Sequence, residues 1–222
     1  MHDRRVRRDR RADAAVRHFP KLAADPGRIA PNNDIAMDQL KLALFEVPEQ
    51  RRGTDGPMLM LAASAPAPGW ARSRVEIGFA GRRYAARTPA RKSVLGVLIG
   101  SVGPGEETVE VALHDADQWL TCCCDGDLEL GDNVAMLGAE VIQFGDATSL
   151  GRGRFRLGRL VRGRAGTEIT NHPDGEAFVM FDFAALEPIR LPARIANKPV
   201  SASTLDGAAK CSVQLFGKEP KS

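Results

Sequence analysis

Apolar and polar positions alternate along most of the chain, and the period is two far more often than 3.6. Lys41 to Val47 (KLALFEV) reads as a strand stopped by Pro48. Residues 58–64 (MLMLAAS) form a short, wholly apolar run, the mark of a strand buried on both faces. After a turn at 65–70 (APAPGW), Val75, Ile77 and Phe79 alternate with Arg74, Glu76 and Gly78. The pattern restarts beyond Gly81 with Tyr84, which predicts a hairpin with a glycine turn. Residues 93–107 fit either a short helix or a strand ending in a Gly-Pro-Gly loop. Val109, Val111 and Leu113 alternate with Glu110, Ala112 and His114 as a half-buried strand. Val134–Leu137 and Glu140–Phe144 flank Gly138-Ala139, and Gly first in a two-residue loop predicts a type II′ turn. Residues 176–183 (EAFVMFDF) predict a further strand. Strands at a spacing of roughly 8–12 residues predict an all-β sandwich or barrel built from short antiparallel strands, with disordered ends.

The expected division is a basic arm over 1–24, a β-rich domain over 25–115, a second β-rich domain with hairpins over 116–190, and a polar tail over 191–222. Composition adds that 22 Gly and 14 Pro supply many turns, and that only 5% aromatic residues leave a core of Val, Leu, Ile and Ala. No apolar run approaches the ~18 residues that span a bilayer, and no apolar segment follows the N-terminal arginines as in a secretory signal.

Charge changes the picture more. The formal net charge is +3, yet it is segregated. Residues 1–17 hold seven Arg and three Asp, and residues 51–92 hold nine basic and two acidic residues. Residues 93–151 hold eleven acids and no Lys or Arg, and six arginines follow at once: Arg152, Arg154, Arg156, Arg159, Arg162 and Arg164. A nucleic-acid domain shows one dominant basic footprint. Alternating blocks instead suit strands that neutralise one another or subunits with complementary patches.

The candidate chemistry is sparse, and no enzyme, cofactor or metal site is expected. Cys122, Cys123 and Cys124 are consecutive, so neighbouring thiols on an extended chain point to opposite faces and match no disulfide or zinc spacing. With Cys211 they read as small, semi-buried thiols. IGSVG around Ser101 only echoes a nucleophile elbow, which leaves an esterase as a weak third reading. His114 and Asp115 are adjacent and would point apart, with His114 exposed. DGDLELGD from Asp125 has Leu130 where a calcium loop needs Gly and Met136 where it needs Glu, so it reads as a solvated acidic loop.

In GRGRFRLGRLVRGRAGTE (151–168), Phe155 and Leu157 share one face while Arg152, Arg154 and Arg156 share the other. Beyond Gly158 the phase slips by one residue, so that Leu160 takes the parity of Arg156, as at a glycine bulge. The segment is thus expected to be a bulged strand whose arginines form a structural or subunit interface and pair with acids of the 106–146 block. The alternative is a nucleic-acid-binding module that uses the basic arm and this strand on phosphates.

One longer pattern stands out: Glu140, Ile142 and Phe144, then Gly153 to Glu168, then His172, Gly175, Glu176, Phe178 and Val179. It resembles the tail-tip or baseplate hub proteins, often called host-specificity proteins, of alphaproteobacterial gene transfer agents and related siphophages. The resemblance spans about residues 26–190 and is strongest over 140–180. It implies a non-enzymatic virion component at the tail tip of a phage-like particle, cytoplasmic during assembly. It further implies a homo-oligomeric ring with other tail or baseplate proteins, acting indirectly on the host surface in attachment and DNA delivery. Family members carry a hydrolase-like barrel section before this region and further domains after it. The chain therefore reads as a truncated gene, a decayed prophage remnant or a fragment, and no catalytic residue carries over.

Overall fold

The computed structural model describes residues 40–48, 58–66, 70–190 and 198–214. The expected basic arm, and residues 191–197 and 215–222 of the expected tail, lie outside the described residues.

The described chain is almost entirely β. Its strands are β1 (Lys41–Glu46), β2 (Met58–Ser64), β3 (Arg74–Phe79), β4 (Arg82–Arg87), β5 (Leu95–Ile99) and β6 (Val109–Leu113). A short helix, α1 (Asp125–Leu130), precedes β7 (Val134–Leu137), β8 (Glu140–Gly151), β9 (Arg154–Arg164) and β10 (Ala177–Met180). The last strands are β11 (Glu187–Arg190), β12 (Pro199–Thr204) and β13 (Lys210–Gln214).

These strands make two open sheets, ordered β1-β2-β11 and β13-β12-β3-β4, and one closed barrel, ordered β10-β5-β6-β9-β8-β7. All the strand pairings are antiparallel.

The central layer is the three-stranded sheet, and β2 shows why. Its side chains alternate between two different cores. Leu59 and Leu61 meet Val75, Ile77, Phe79, Val200 and Ala202 of the four-stranded sheet. Met60 and Ala62 meet Leu95, Val134, Met136, Val141 and Val179 on the outside of the barrel. A strand with no polar face is what a middle layer demands. The expected doubly buried strand is therefore present, and it holds a sandwich on one side and a barrel on the other.

The barrel applies the same period of two. Leu98, Val111, Leu137, Ile142, Phe144, Phe155, Leu157 and Phe178 fill its interior. Outward positions are apolar where the central sheet covers them, and carry Glu110, Arg154 and Arg156 on β6 and β9. Closure is tight between β5 and β6. A Cβ on Gly96 would lie 2.5 Å from the Ala112 carbonyl oxygen, so only glycine fits there without moving backbone.

Three hairpins follow from local chemistry. Gly138 has φ 58° while Ala139 stays out of the left-handed region, consistent with the predicted II′ turn. Ala80-Gly81 and Arg152-Gly153 have positive φ at both positions, as type I′ turns require.

Several expectations need correction. The 115/116 boundary falls inside the barrel, because β5 and β6 close against β9 and β10. The expected polar tail contributes β12 and β13 to the sandwich, where Val200, Ala202 and Thr204 are buried between outward Pro199, Ser201 and Ser203. Its alternation is regular, but its side chains are too small to give a hydrophobic signal. Residues 125–130 are a helix rather than a loop. Asp127 accepts from the Cys124 N–H, and Gly131 ends the helix at φ 96°.

Truncating either face of β2 should be costly. Leu61→Ala and Met60→Ala are each expected to destabilise the fold by about 2–5 kcal/mol in urea unfolding. A near-neutral result for one of them would mean that its face of the central sheet is not packed.

Candidate functional site

The six arginines do not form one face. Arg152 sits in the β8–β9 turn rather than on the strand. Arg154 and Arg156 converge on Glu110 of β6, at 3.1 and 2.8 Å. Hydrogen bonding from Arg156, opposed by partial burial and aided by the charges of both arginines, holds the Glu110 carboxyl below its ordinary range. Arg159 reaches Asp146 at 3.1 Å, Asp125, and the Cys123 carbonyl oxygen at 2.6 Å. Arg162 is buried. Among the described residues no ion pair reaches Arg152 or Arg164. Four of the six thus meet acids of the 106–146 block, as the charge segregation led us to expect.

The phase slip is present, but its form differs from the expected one. Arg159 has φ 47°, and its guanidinium lies over Gly145, where a Cβ would come within 2.4 Å of it. On β8 the inward residues step from Phe144 to Ala147, and on β9 from Leu157 to Leu160. Both strands slip together, so the register is continuous from Gln143↔Val161 to Ser149↔Phe155. The register shifts elsewhere, once beside the turn, where Leu150 is extra on β8, and once at the far end of the pair. Val141 pairs with Arg164 and Gln143 with Val161, so Ile142 faces both Arg162 and Gly163, the latter at φ 65°.

At that bulge the structure gathers residues that the sequence reading grouped only as parts of one long pattern. Glu140 has a side chain 0% exposed, and both its oxygens are occupied. Oε1 accepts from Arg162 Nε at 2.7 Å and from the Gly163 N–H at 2.9 Å. Oε2 accepts from Arg162 Nη2 at 2.8 Å and the Thr170 N–H at 3.3 Å, and lies 2.9 Å from His172 Nε2. His172 Nδ1 lies 2.6 Å from Glu176 Oε2. Arg162 also donates to the carbonyls of Gly103 and Thr170. Burial alone would raise the Glu140 carboxyl. Hydrogen bonds from Arg162, His172, Gly163 and Thr170 outweigh it and hold the group at about 2. The network ties the first residue of β8 to the end of β9, to the loop that follows it, and to the segment entering β10. Glu176 also packs over Gly138, where an added Cβ would meet its carboxylate.

Chemically this cluster is closed. Glu140, Arg162 and His172 spend their donors and acceptors on one another and on neighbouring backbone, and Glu176, 26% exposed, forms the outer edge. Among the described residues no group of three or more His, Cys, Asp or Glu is arranged to hold a metal ion. Ser101 is exposed, and no hydrogen bond joins it to His172, although Val102 and His172 form a backbone bridge. His114 is half-buried, not exposed, and burial followed by the charge of Lys41 pushes its imidazole below the ordinary value. Cys122 and Cys124 are exposed, while Cys123 is partly covered. Among the described residues no helix is long and apolar enough to cross a membrane.

Residues 93–179 match a family model described as Rcc01698-like, C-terminal. By its name this family is associated with gene transfer agents. The matched span runs from two residues before Leu95 to one before Met180, so it coincides with the barrel, β5 to β10. The residues of the long pattern noted in the sequence are barrel parts: Ile142, Phe144 and Phe178 fill its interior, and Glu140, Arg162, His172 and Glu176 make the buried network. No curated protein matches the chain.

Two outcomes follow. Glu140→Gln leaves Arg162 uncompensated in the interior and should cost about 3–5 kcal/mol in urea unfolding. In the native protein, the depressed Glu140 value contributes stability that is complete above about pH 4.5 and is lost as pH falls through about 2. That acid-side slope should flatten in Glu140→Gln, and an unchanged slope would mean another carboxylate carries it. Separately, iodoacetamide near pH ~8 should label Cys122 and Cys124 first, since the thiolate is the reactive form. Cys211, whose thiol burial pushes up to about 11, should lag far behind.

Proposed function

We propose that this chain is a structural component of the tail tip or baseplate hub of a phage-like particle, working in host attachment and DNA delivery. On this reading it resides at the virion tail tip and contacts other tail or baseplate proteins. The observation that carries the proposal is the coincidence of two boundaries. The family match covers the barrel and stops at its ends, and the pattern that resembles hub proteins is spent on that barrel's interior and its buried ion network. The family is thus matched through a scaffold, and scaffold residues are what a particle component contributes.

The arginine strand supports the same side of the choice. Arg154, Arg156 and Arg159 already hold Glu110, Asp146 and Asp125, so phosphate would have to displace carboxylates that lie within the same sheet or beside it.

The direct test is to purify particles released by cells that carry the gene, to search them for this chain by mass spectrometry, and to locate it by immunogold microscopy. Label at tail ends is expected. Absence from purified particles, with the chain abundant in the cell lysate, would overturn the proposal. Duplex DNA is expected to bind the chain without residues 1–24 weakly, with little change between ~0.05 and ~0.2 M salt. Tight binding that collapses over that range, and is lost with Arg154→Ala plus Arg156→Ala, would favour the nucleic-acid reading.

A further inference from the structure

The helix α1 is six residues long and buries none of its side chains. It is nevertheless held firmly. Gln143 of β8 donates to the Leu128 and Asp132 carbonyls at 2.6 Å, and Arg159 grips Asp125. What this fixed helix displays is Leu130, 86% exposed and the most exposed large apolar residue among those described. Asp127, Glu129 and Asp132 stand beside it in sequence, and no ion pair reaches them among the described residues. The feature is an apolar tip in an acidic collar.

A socket of the opposite kind lies at the four-stranded sheet. A hollow of about 540 Å³ on this sheet is lined by Gly78, Ala80, Pro199 and Ser201, with the largely buried Phe79 at its side, and by the basic Arg82, Arg83 and Lys198. Arg83 pairs with Glu76 but keeps a side chain 78% exposed, and no ion pair reaches Arg82 or Lys198 among the described residues. The central sheet stands between this layer and the barrel that carries α1. A helix pinned to the barrel therefore cannot fill the hollow of its own molecule.

We propose that the Leu130 tip of one copy seats in the Phe79–Pro199 hollow of a second copy, with Asp127, Glu129 and Asp132 against Arg82, Arg83 and Lys198. Ala80 and Pro199 offer the apolar tip an apolar contact, and the charges are opposite in sign. The contact is heterologous, since each copy offers a different surface, so it propagates into a closed ring or an open filament. The tail-tip reading also implies a homo-oligomeric ring, but the contact named here and that reading fail separately. Self-association can fail while the chain is still found in particles, and the reverse also holds.

The test is sedimentation velocity on the full chain over a range of concentrations at ~0.05 and ~0.5 M salt, where charge screening differs several-fold in length. The variants are Leu130→Arg, which spoils the tip, and Arg83→Glu with Lys198→Glu, which spoils the socket. Both lie at exposed positions, and circular dichroism checks that each folds. The wild type is expected to form species larger than a monomer that shrink at high salt, and each variant alone to stay monomeric. An equimolar mixture of the two variants should stop at a dimer, because it retains one intact tip and one intact socket per pair. A wild type that is monomeric throughout, variants that associate like the wild type, or a mixture that remains monomeric would each overturn the proposal.

Discussion

A carboxylate that leaves water must find its hydrogen bonds inside the protein, and the barrel is arranged around one that does. Glu140 opens β8, and its oxygens are filled by the guanidinium of Arg162, by His172 and by two backbone N–H groups. One of those, from Gly163, is a donor that the bulge in β9 frees from the strand ladder. Without the bulge the N–H would stay in the strand ladder, and without the carboxylate the bulge would leave a partly buried N–H unmet. The loop after β9 is drawn in by the same group through Thr170 and His172, which sets where β10 begins and so lets it close the barrel between β5 and β7. Losing one partner exposes the rest to the cost of a buried unpaired charge, so the cluster acts as a unit.

The second constraint is the middle layer. Because β2 has no polar side, the three-stranded sheet needs an apolar cover on both faces, and the barrel exterior provides one of them. This explains why Leu95, Val134, Met136 and Val179 are apolar although they point out of the barrel. It also explains why the opposite wall, along β6 and β9, can carry paired charges at its surface.

Much of this was legible from residue patterns, and the failures have physical causes. The run at 58–64, the II′ hairpin at Gly138 and the hairpin at Gly81 rest on local rules, and the structure agrees with each. The pairing of β5 with β10 joins residues some eighty positions apart, and alternation says nothing about which strands meet. The domain boundary failed for that reason. Arg162 was grouped with the other five arginines by composition, although past the phase slip it shares the parity of Leu160 and not that of Arg159. Glu140, His172 and Glu176 carried a signal only as parts of one long pattern, since each alone is an ordinary charged or polar residue. The hairpin of β12 and β13 was missed because serines and alanines alternate without contrast in hydrophobicity.

The difference between the closed and the open parts of the fold bears on how the chain stays out of trouble before it is fully assembled. The barrel has no unpaired strand, but the four-stranded sheet ends at β4, beyond which no strand pairs among the described residues. That strand reads RRYAAR, with Arg82, Arg83 and Arg87 along six residues. Two such strands brought side by side would set arginine against arginine. Positive charge on an edge is a common guard against runaway sheet growth. Nascent and misfolded copies are thereby discouraged from templating one another, while a surface of the opposite sign is still free to approach.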